Sequence, residues 1–355
     1  MPGIVRIINL KIFKYSLTTN NKTMGIKYLT RLLKEHAPTS ITHEQLYKLS
    51  GKIVAVDTSL FIYQCLMNIR RNGELMKNSK EKVISHIYGM FFKISNYLSL
   101  NITPIFIFDG KPPDAKSDVI KERKDKAETA KNKECNTKEE KEKQDKLSIR
   151  LTKEYIDDIK TLLNHMGVSY LHIDGEAEAI ASELCRIKYV DYVITEDMDT
   201  LTFGSPNVIR NCIDKSIKRK DMITIINLDE VLKCMELSYE QFVELCIMCG
   251  CDYCSNIPRI GQVKAYQTIK EFGSIKKFLE TNTKFKIPDD YVQKYTKSKE
   301  LFMMYHDKLD PSKLPFMNSS LNIASLLQYL IGDCEISESK ILGTIKKIQE
   351  RYNSD

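Results

Sequence analysis

The sequence predicts an α/β fold built on a mixed, mostly parallel central sheet flanked by helices. Three apolar runs that end in aspartate carry the prediction: Ile53-Val54-Ala55-Val56-Asp57, Ile105-Phe106-Ile107-Phe108-Asp109, and Val193-Ile194-Thr195 followed by Glu196, Asp197 and Asp199. Short β-branched and aromatic runs bounded by turn residues are the pattern of strands buried on both faces, and open α/β sheets place ligands beyond the carboxyl ends of such strands. The aspartates are therefore expected to share one site. Carboxylates gathered in one place repel one another unless cations neutralise them, which points to a divalent-metal site.

Composition sets the outer limits. With 355 residues, 42% hydrophobic and 28% charged, the chain can form one large domain or two smaller ones. No uninterrupted apolar run approaches the length of a bilayer span, so no membrane partner is expected. The formal charge of +7, from 54 basic and 47 acidic residues, becomes informative if the acids are confined to a metal site, because a basic surface is then left for phosphates. Ten scattered cysteines without a secretory signal fit an intracellular, reducing compartment. Cys246, Cys249, Cys251 and Cys254 form two C-x-x-C pairs, but the pairs lack the intervening loop of a zinc site. Gln241 to Met248 has the pattern of an amphipathic helix, in which cysteine is a small core residue.

Along the chain, residues 1–23 contain no acid and four basic residues and read as a leader, disordered or outside the mature protein. Met24-Gly25-Ile26 then opens a helical pattern through Tyr28, Leu29, Leu32 and Leu33. After Gly110-Lys111-Pro112-Pro113 the composition changes: from Lys116 to Lys146 lysine and glutamate dominate, with no aromatic residue. Such a segment cannot bury a core, and its i,i+4 opposite charges favour solvated helix. Tyr155, Ile156, Ile159, Leu162 and Leu163 mark a helix, and Val168 to Ile173 a strand. In Asp174-Gly175-Glu176-Ala177-Glu178-Ala179 the two glutamates suit a helix start, and taken alone they read as first-turn acids. Strands follow at Tyr192–Thr195, Asn207–Arg210 and Met222–Ile226, the last two flanking a basic turn from Lys215 to Lys220. Ile257 to Ala265, between two helical stretches, is a tight hairpin that exposes backbone amides at a helix N-terminus, where a nucleic-acid phosphate can be held without reading sequence.

Gly51-Lys52 through Tyr63, Ser85 to Phe91, Phe108 to Pro113, Glu176 to Ala179, Thr195 to Asp199, Leu201 to Ser205, and Gly250 to Tyr253 together resemble the flap endonucleases of the structure-specific 5′ nuclease (XPG/Rad2-like) superfamily. They occur in family order, and the resemblance spans Met24 to about residue 350. It implies a PIN-like 5′ nuclease fold divided into an N-terminal nuclease region (24–115), a helical arch (116–150) that threads a single-stranded flap, an internal nuclease region (151–235), a helix-hairpin-helix duplex-binding element (236–275) and a C-terminal helical region (276–355).

The resemblance also assigns roles. It makes Asp57, Asp109, Glu176, Glu178, Asp197, Asp199 and Asp252 ligands of two Mg²⁺ or Mn²⁺ ions, and Lys116 and Arg123 the cations that stabilise charge on the scissile phosphate. Tyr63 is expected to stack on the nucleotide beside the cut, although a tyrosine on an apolar helix face is also a common core residue. Arg70 and Arg71 are expected on phosphates near the junction, Gly25 near the active site, and Ile260, Gly261 and Lys264 on the duplex, with K⁺ at the hairpin.

Three departures stand out. The hairpin reads Pro258-Arg259-Ile260-Gly261 where relatives have Arg-Gly-Ile-Gly. Lys77 to Lys82 is basic where eukaryotic relatives carry an acidic block that shapes a 3′-flap pocket. Residues 349–355 contain no clamp-binding peptide, so a sliding clamp would need another surface.

The implied function is Mg²⁺-dependent cleavage of 5′ flaps on branched DNA with 5′-3′ exonuclease activity, by a monomer acting in replication and repair. The expected location is the nucleus in a eukaryotic source or the site of viral DNA replication in a viral one. Alternatives are an exonuclease- or bubble-preferring relative and, from another class, a non-catalytic junction-binding scaffold. The scaffold reading calls for a missing carboxylate, and none is missing.

Overall fold

The computed structural model describes residues 26, 28–111, 113–116, 148–211, 221–304, 306 and 309–352, with isolated positions between 120 and 146. Its strands are β1 (Ile41–Gln45), β2 (Ile53–Asp57), β3 (Arg70–Arg71), β4 (Glu74–Leu75), β5 (Thr103–Phe108), β6 (Tyr170–His172), β7 (Tyr192–Ile194), β8 (Asn207–Asn211) and β9 (Met222–Asn227). β3 and β4 form a small hairpin; the others make one seven-stranded sheet in the order β1-β9-β8-β7-β2-β5-β6. β2 pairs in parallel with β5 and β7, β5 with β6 and β7 with β8, while β9 runs antiparallel to β8 and β1 antiparallel to β9. The sheet is mixed and mostly parallel, its central strands pairing in parallel as the apolar runs indicate.

The central strands are apolar without a break because both faces are covered. Val54, Val56, Phe106, Phe108 and Ile194 share a core with the helices Thr58–Asn68, Ser85–Ser99 and Lys153–Met166. The alternating residues Ala55, Ile105, Ile107, Leu171 and Val193 face the Ala177–Arg186 helix. This two-residue alternation sends Val54 and Val56 into one helical layer and Ala55 into the other. Leu326, Leu330, Ile341, Ile345 and Ile348 from the C-terminal helices pack in the same core as Ile62, Ile87 and Phe91. The expected helices have local causes. Thr152 caps Lys153–Met166, Gly167 ends it at φ 66°, and Ser238 with Gln241 forms a capping box on Tyr239–Cys249. In the arch segment, the described positions between 120 and 148 are helical except Thr137.

A buried polar cluster ties the first core together. His86 is fully buried with Nε2 3.0 Å from Asp158 Oδ2, Lys82 Nζ lies 2.6 Å from Asp158 Oδ1, and the Tyr329 hydroxyl donates to the Asp158 carbonyl at 3.2 Å. Burial pushes the His86 imidazole below its ordinary value and outweighs the hydrogen bond to Asp158, and Nδ1 has no partner, as suits a neutral ring. Burial alone would raise the Asp158 carboxyl, but hydrogen bonds from His86 and Lys82 hold it below its ordinary value.

Both groups therefore bind fewer protons when folded than when unfolded, so stability rises with pH. The His86 contribution is complete above its unfolded value of about 6.5 and is lost as pH falls below it; that of Asp158 is complete above about 3.8 and is lost below. Lowering the pH from about 7.5 to about 5.5 is expected to reduce the melting temperature, and His86→Gln to flatten that dependence. An unchanged slope in the variant would assign the effect to other groups.

Candidate active site

The carboxyl ends of β2, β5, β6 and β7 lie side by side, and each delivers an acid. Asp57 ends β2 and caps the Thr58–Asn68 helix, its Oδ1 accepting from the Leu60 N–H at 3.4 Å. Its Oδ2 accepts from the Thr195 hydroxyl at 3.0 Å, and the same Thr195 oxygen accepts from the Asp197 N–H at 3.1 Å. One hydroxyl thus serves as donor and acceptor and fixes two acids from neighbouring strands. The turn continues with the Asp199 N–H donating to Asp197 Oδ1 at 3.0 Å.

Asp109 follows β5, and its Oδ1 accepts from the Ala177 N–H at 2.8 Å. Beside it the Gly110 N–H donates to the Gly175 carbonyl at 3.2 Å, and a Cβ on Gly110 would overlap the Ile173 carbonyl. Glycine is what brings the Asp109 and Glu176 segments this close.

Glu176 occupies the N-cap position of Ala177–Arg186 but makes no side-chain capping bond. Its carboxylate accepts instead from Lys116 Nζ, which lies 3.6 Å from Asp252 Oδ2. Glu178 follows in the first helical turn, half-buried. Asp252 comes from the irregular segment after Tyr239–Cys249. Five separate segments therefore bring seven carboxylates and one ammonium together. The helix-start reading of Glu176 gives way to a pairing with Lys116.

The charges on these groups bear on one another. Burial, then the nearby Asp109, pushes the Asp57 carboxyl up to about 7. Glu178 is raised well above its ordinary value by burial and then by Asp57, Asp109 and Asp197, and Asp199 by burial and then by Asp197 and Asp252. Burial would lower Lys116, but Glu176, Glu178 and Asp252 outweigh it and raise its ammonium above the ordinary lysine range. Among the described residues, the seven acids face one lysine ammonium, Lys116, and the carboxylates outnumber it.

The donor set fits divalent ions: all seven offer hard carboxylate oxygens, and Asp199 Oδ1 is buried without a hydrogen-bond partner. Among the described residues no three carboxylate, imidazole or thiol groups already ligate around one point. Lys116 now holds a Glu176 oxygen that an ion would claim.

The residues expected to contact DNA lie on other elements. Tyr63 is half-buried on the Thr58–Asn68 helix, and burial raises its phenol. Arg70 and Arg71 form β3, with Arg70 Nη1 donating to the Gly73 carbonyl at 3.0 Å. Gly25 and Arg123 lie outside the described residues.

In the hairpin between Tyr239–Cys249 and Gln262–Phe272, Gly261 and Lys264 are exposed, whereas Ile260 is buried with its N–H and carbonyl both engaged inside the hairpin. Ile260 therefore supports the turn, and Gly261 and Lys264 form its outer face. The hairpin carbonyls fit a K⁺ ion poorly. Asn256 Nδ2 donates to Ile257 O at 3.3 Å and Ile260 O at 3.0 Å, and Lys264 Nζ donates to Arg259 O at 3.3 Å.

Arg259 sits at φ 71° in the left-handed region. Arg259→Gly is expected to add about 1 kcal/mol of stability by relieving that conformation, read from denaturant midpoints; a loss of stability would mean the arginine side chain contributes more than its backbone costs.

The cysteine cluster is core: Cys246, Cys249 and Cys254 are buried among apolar neighbours, and burial pushes Cys249 and Cys254 up to about 12.

Similarity to known proteins agrees with this geometry. The XPG N-terminal domain model matches residues 24–130 and the XPG I-region model residues 167–252. Flap endonuclease 1-A of Sorghum bicolor is 36% identical over 340 residues, covering 93% of this chain and 88% of its own length. Flap endonuclease 1 of Debaryomyces hansenii is 35% identical over 339 residues, covering 92% and 88%. Flap endonuclease-1 from Methanococcus jannaschii superposes with a TM-score of 0.67 at 28% identity, covering 89% of this chain and 97% of its own. The catalytic core of Rad2 in complex with DNA substrate shares the fold, with a TM-score of 0.68 at 24% identity, covering 89% and 98%. The chain belongs to the flap endonuclease family of XPG/Rad2-like nucleases.

Proposed function

We propose that this protein is a structure-specific nuclease that cuts 5′ flaps where single-stranded DNA meets duplex, with 5′-3′ exonuclease activity on nicked or gapped duplex, in replication and repair. The observation that carries this reading is the convergence of seven acids from five segments on the carboxyl edge of the sheet in a chain 36% identical to a flap endonuclease. The assigned ligands of two Mg²⁺ or Mn²⁺ ions are Asp57, Asp109, Glu176, Glu178, Asp197, Asp199 and Asp252. When bound, such ions supply an attacking water of lowered pKa and neutralise the departing oxygen.

The chain's own groups do the rest. Thr195 holds Asp57 and Asp197 in register. Lys116, moving off Glu176, presents its ammonium to the scissile phosphate, and the family resemblance assigns Arg123 the same role. Tyr63 stacks the nucleotide at the cut, Arg70 and Arg71 hold phosphates near the junction, and Gly261 and Lys264 hold the duplex backbone. At the hairpin, the Lys264 ammonium supplies the positive charge that K⁺ would otherwise bring.

The loop Lys77–Lys82, basic rather than acidic, puts selectivity for a double-flap substrate in question. Asn78 Nδ2 donates to the Asp333 carbonyl at 3.0 Å, the Ser79 N–H to Glu335 Oε2 at 2.8 Å, and Lys82 pairs with Asp158, so the loop is fastened to its own chain. Cleavage of single-flap, double-flap, nicked and bubble DNA in Mg²⁺ and in EDTA tests the proposal. Cutting at the base of a single flap, abolished by EDTA, is expected; preferential cutting of the bubble, or trimming from the 5′ end alone, would replace the flap reading.

A further inference from the structure

Three groups outside the acid cluster converge behind Asp109. Lys160 Nζ lies 2.7 Å from His172 Nδ1, and His172 Nε2 lies 3.1 Å from the Asp109 main-chain carbonyl. Phe108 completes the group: its ring stands edge-on to His172 with centroids 6.3 Å apart, and Lys160 Nζ sits 5.4 Å from the same ring. A lysine ammonium can only donate, so Nδ1 must accept and the ring must carry its proton on Nε2. That leaves Nε2 as the donor to the Asp109 carbonyl.

The position of this bond gives it a consequence. The parallel ladder of β5 and β6 ends with Phe108 opposite His172, so Asp109 is the first residue beyond the paired strand. The His172 side chain carries the pairing one residue further. With the main-chain oxygen held by His172 and Oδ1 by the Ala177 N–H, the Asp109 backbone and one carboxylate oxygen are both fixed. The second carboxylate oxygen is the one left for an ion. A ligand fixed beforehand gives up less freedom when it binds, and partners of this kind commonly govern metal affinity.

We propose that His172, locked in one tautomer by Lys160, is a positioning residue that aims Asp109 at a divalent ion. The proposal rests on the reading of Asp109 as a metal ligand, so its test must separate the two. Mn²⁺ binding to the DNA-free protein, followed by electron paramagnetic resonance, is compared among wild type, His172→Ala, His172→Gln, Lys160→Met and Asp109→Asn, with melting temperatures alongside.

His172→Ala is expected to weaken Mn²⁺ binding roughly threefold to tenfold, at or below the low end of the ~10-fold to 100-fold typical of such partners, because the contact is to the main chain. His172→Gln, whose amide can still donate to the carbonyl, is expected to recover most of that loss. Lys160→Met should fall between them, because the ring then keeps its bond only in one of two tautomers. A purely structural role would move melting temperatures without this graded order. If Asp109→Asn weakens Mn²⁺ binding while His172→Ala does not, the positioning role is overturned and the metal site stands. Glutamine failing to recover what alanine loses overturns the donor role. If Asp109→Asn also binds as wild type, the assignment of Asp109 as a ligand is the part that fails.

Discussion

Exchanging Asp197 for asparagine is expected to slow single-turnover cleavage of a 5′ flap by at least about 10³-fold, while flap affinity stays within about threefold. Asparagine keeps an oxygen that can accept from the Asp199 N–H, so the turn survives and the charge alone is removed. A carboxylate that holds an ion against a phosphodiester contributes several kcal/mol to the transition state, and each 1.36 kcal/mol is tenfold in rate. Affinity is spared because the flap and duplex are held elsewhere, and removing one negative charge lessens repulsion of the phosphates. Fluorescence anisotropy and quench-flow on the same preparation separate the two effects. A variant that cuts at the wild-type rate would remove Asp197 from the site.

The second large effect concerns Lys116, expressed as Lys116→Met to preserve the aliphatic stem. The ammonium hydrogen-bonds to Glu176 and lies 3.6 Å from Asp252, so in this state it occupies oxygens that an ion would claim. Removing it should tighten divalent-ion binding severalfold and yet slow cleavage at saturating Mg²⁺ by roughly 10²-fold to 10³-fold, the size of losing one preorganised charge-stabilising donor. These opposite signs are the diagnostic. A fall in both ion affinity and rate would make Lys116 a structural counter-charge, and a fall in DNA affinity alone would make it a phosphate anchor. Burial favours the sharper reading, since Lys116 retains only 14% of its side-chain exposure and is not a solvated arch lysine.

How much of this was legible in the sequence depended on how each residue is buried. β2 and β5 were readable because both faces of the sheet are covered and the runs are apolar throughout. β1 was not, because Ile41-Thr42-His43-Glu44-Gln45 is an edge strand paired on one side only and needs no apolar run. Among the acids, Asp57, Asp109, Asp197 and Asp199 announced themselves by following strands. Glu176 and Glu178 carry the ordinary signature of a helix start, and what distinguishes Glu176 is a bond to Lys116, 60 residues away in sequence. No local pattern holds that information.

Asp252 follows a helix rather than a strand and was reached through resemblance alone. Nothing local marks Thr195 as an organiser within Thr195-Glu196-Asp197, because its bond to Asp57 spans 138 residues. The hairpin resemblance missed that Ile260 is turned inward and that Arg259 adopts a glycine-like conformation. Backbone dihedrals of that kind leave no trace in composition.

The central claim is that the seven carboxylates hold two divalent ions at the point where DNA is cut. Counting Mn²⁺ bound per chain in the presence of an uncleavable 5′-flap DNA, by calorimetry or paramagnetic resonance, tests it most directly. Two ions per chain in the wild type, reduced in Asp197→Asn and in Asp199→Asn, is the expected result. No bound ion at millimolar Mn²⁺, or two ions that persist in both variants, would contradict it.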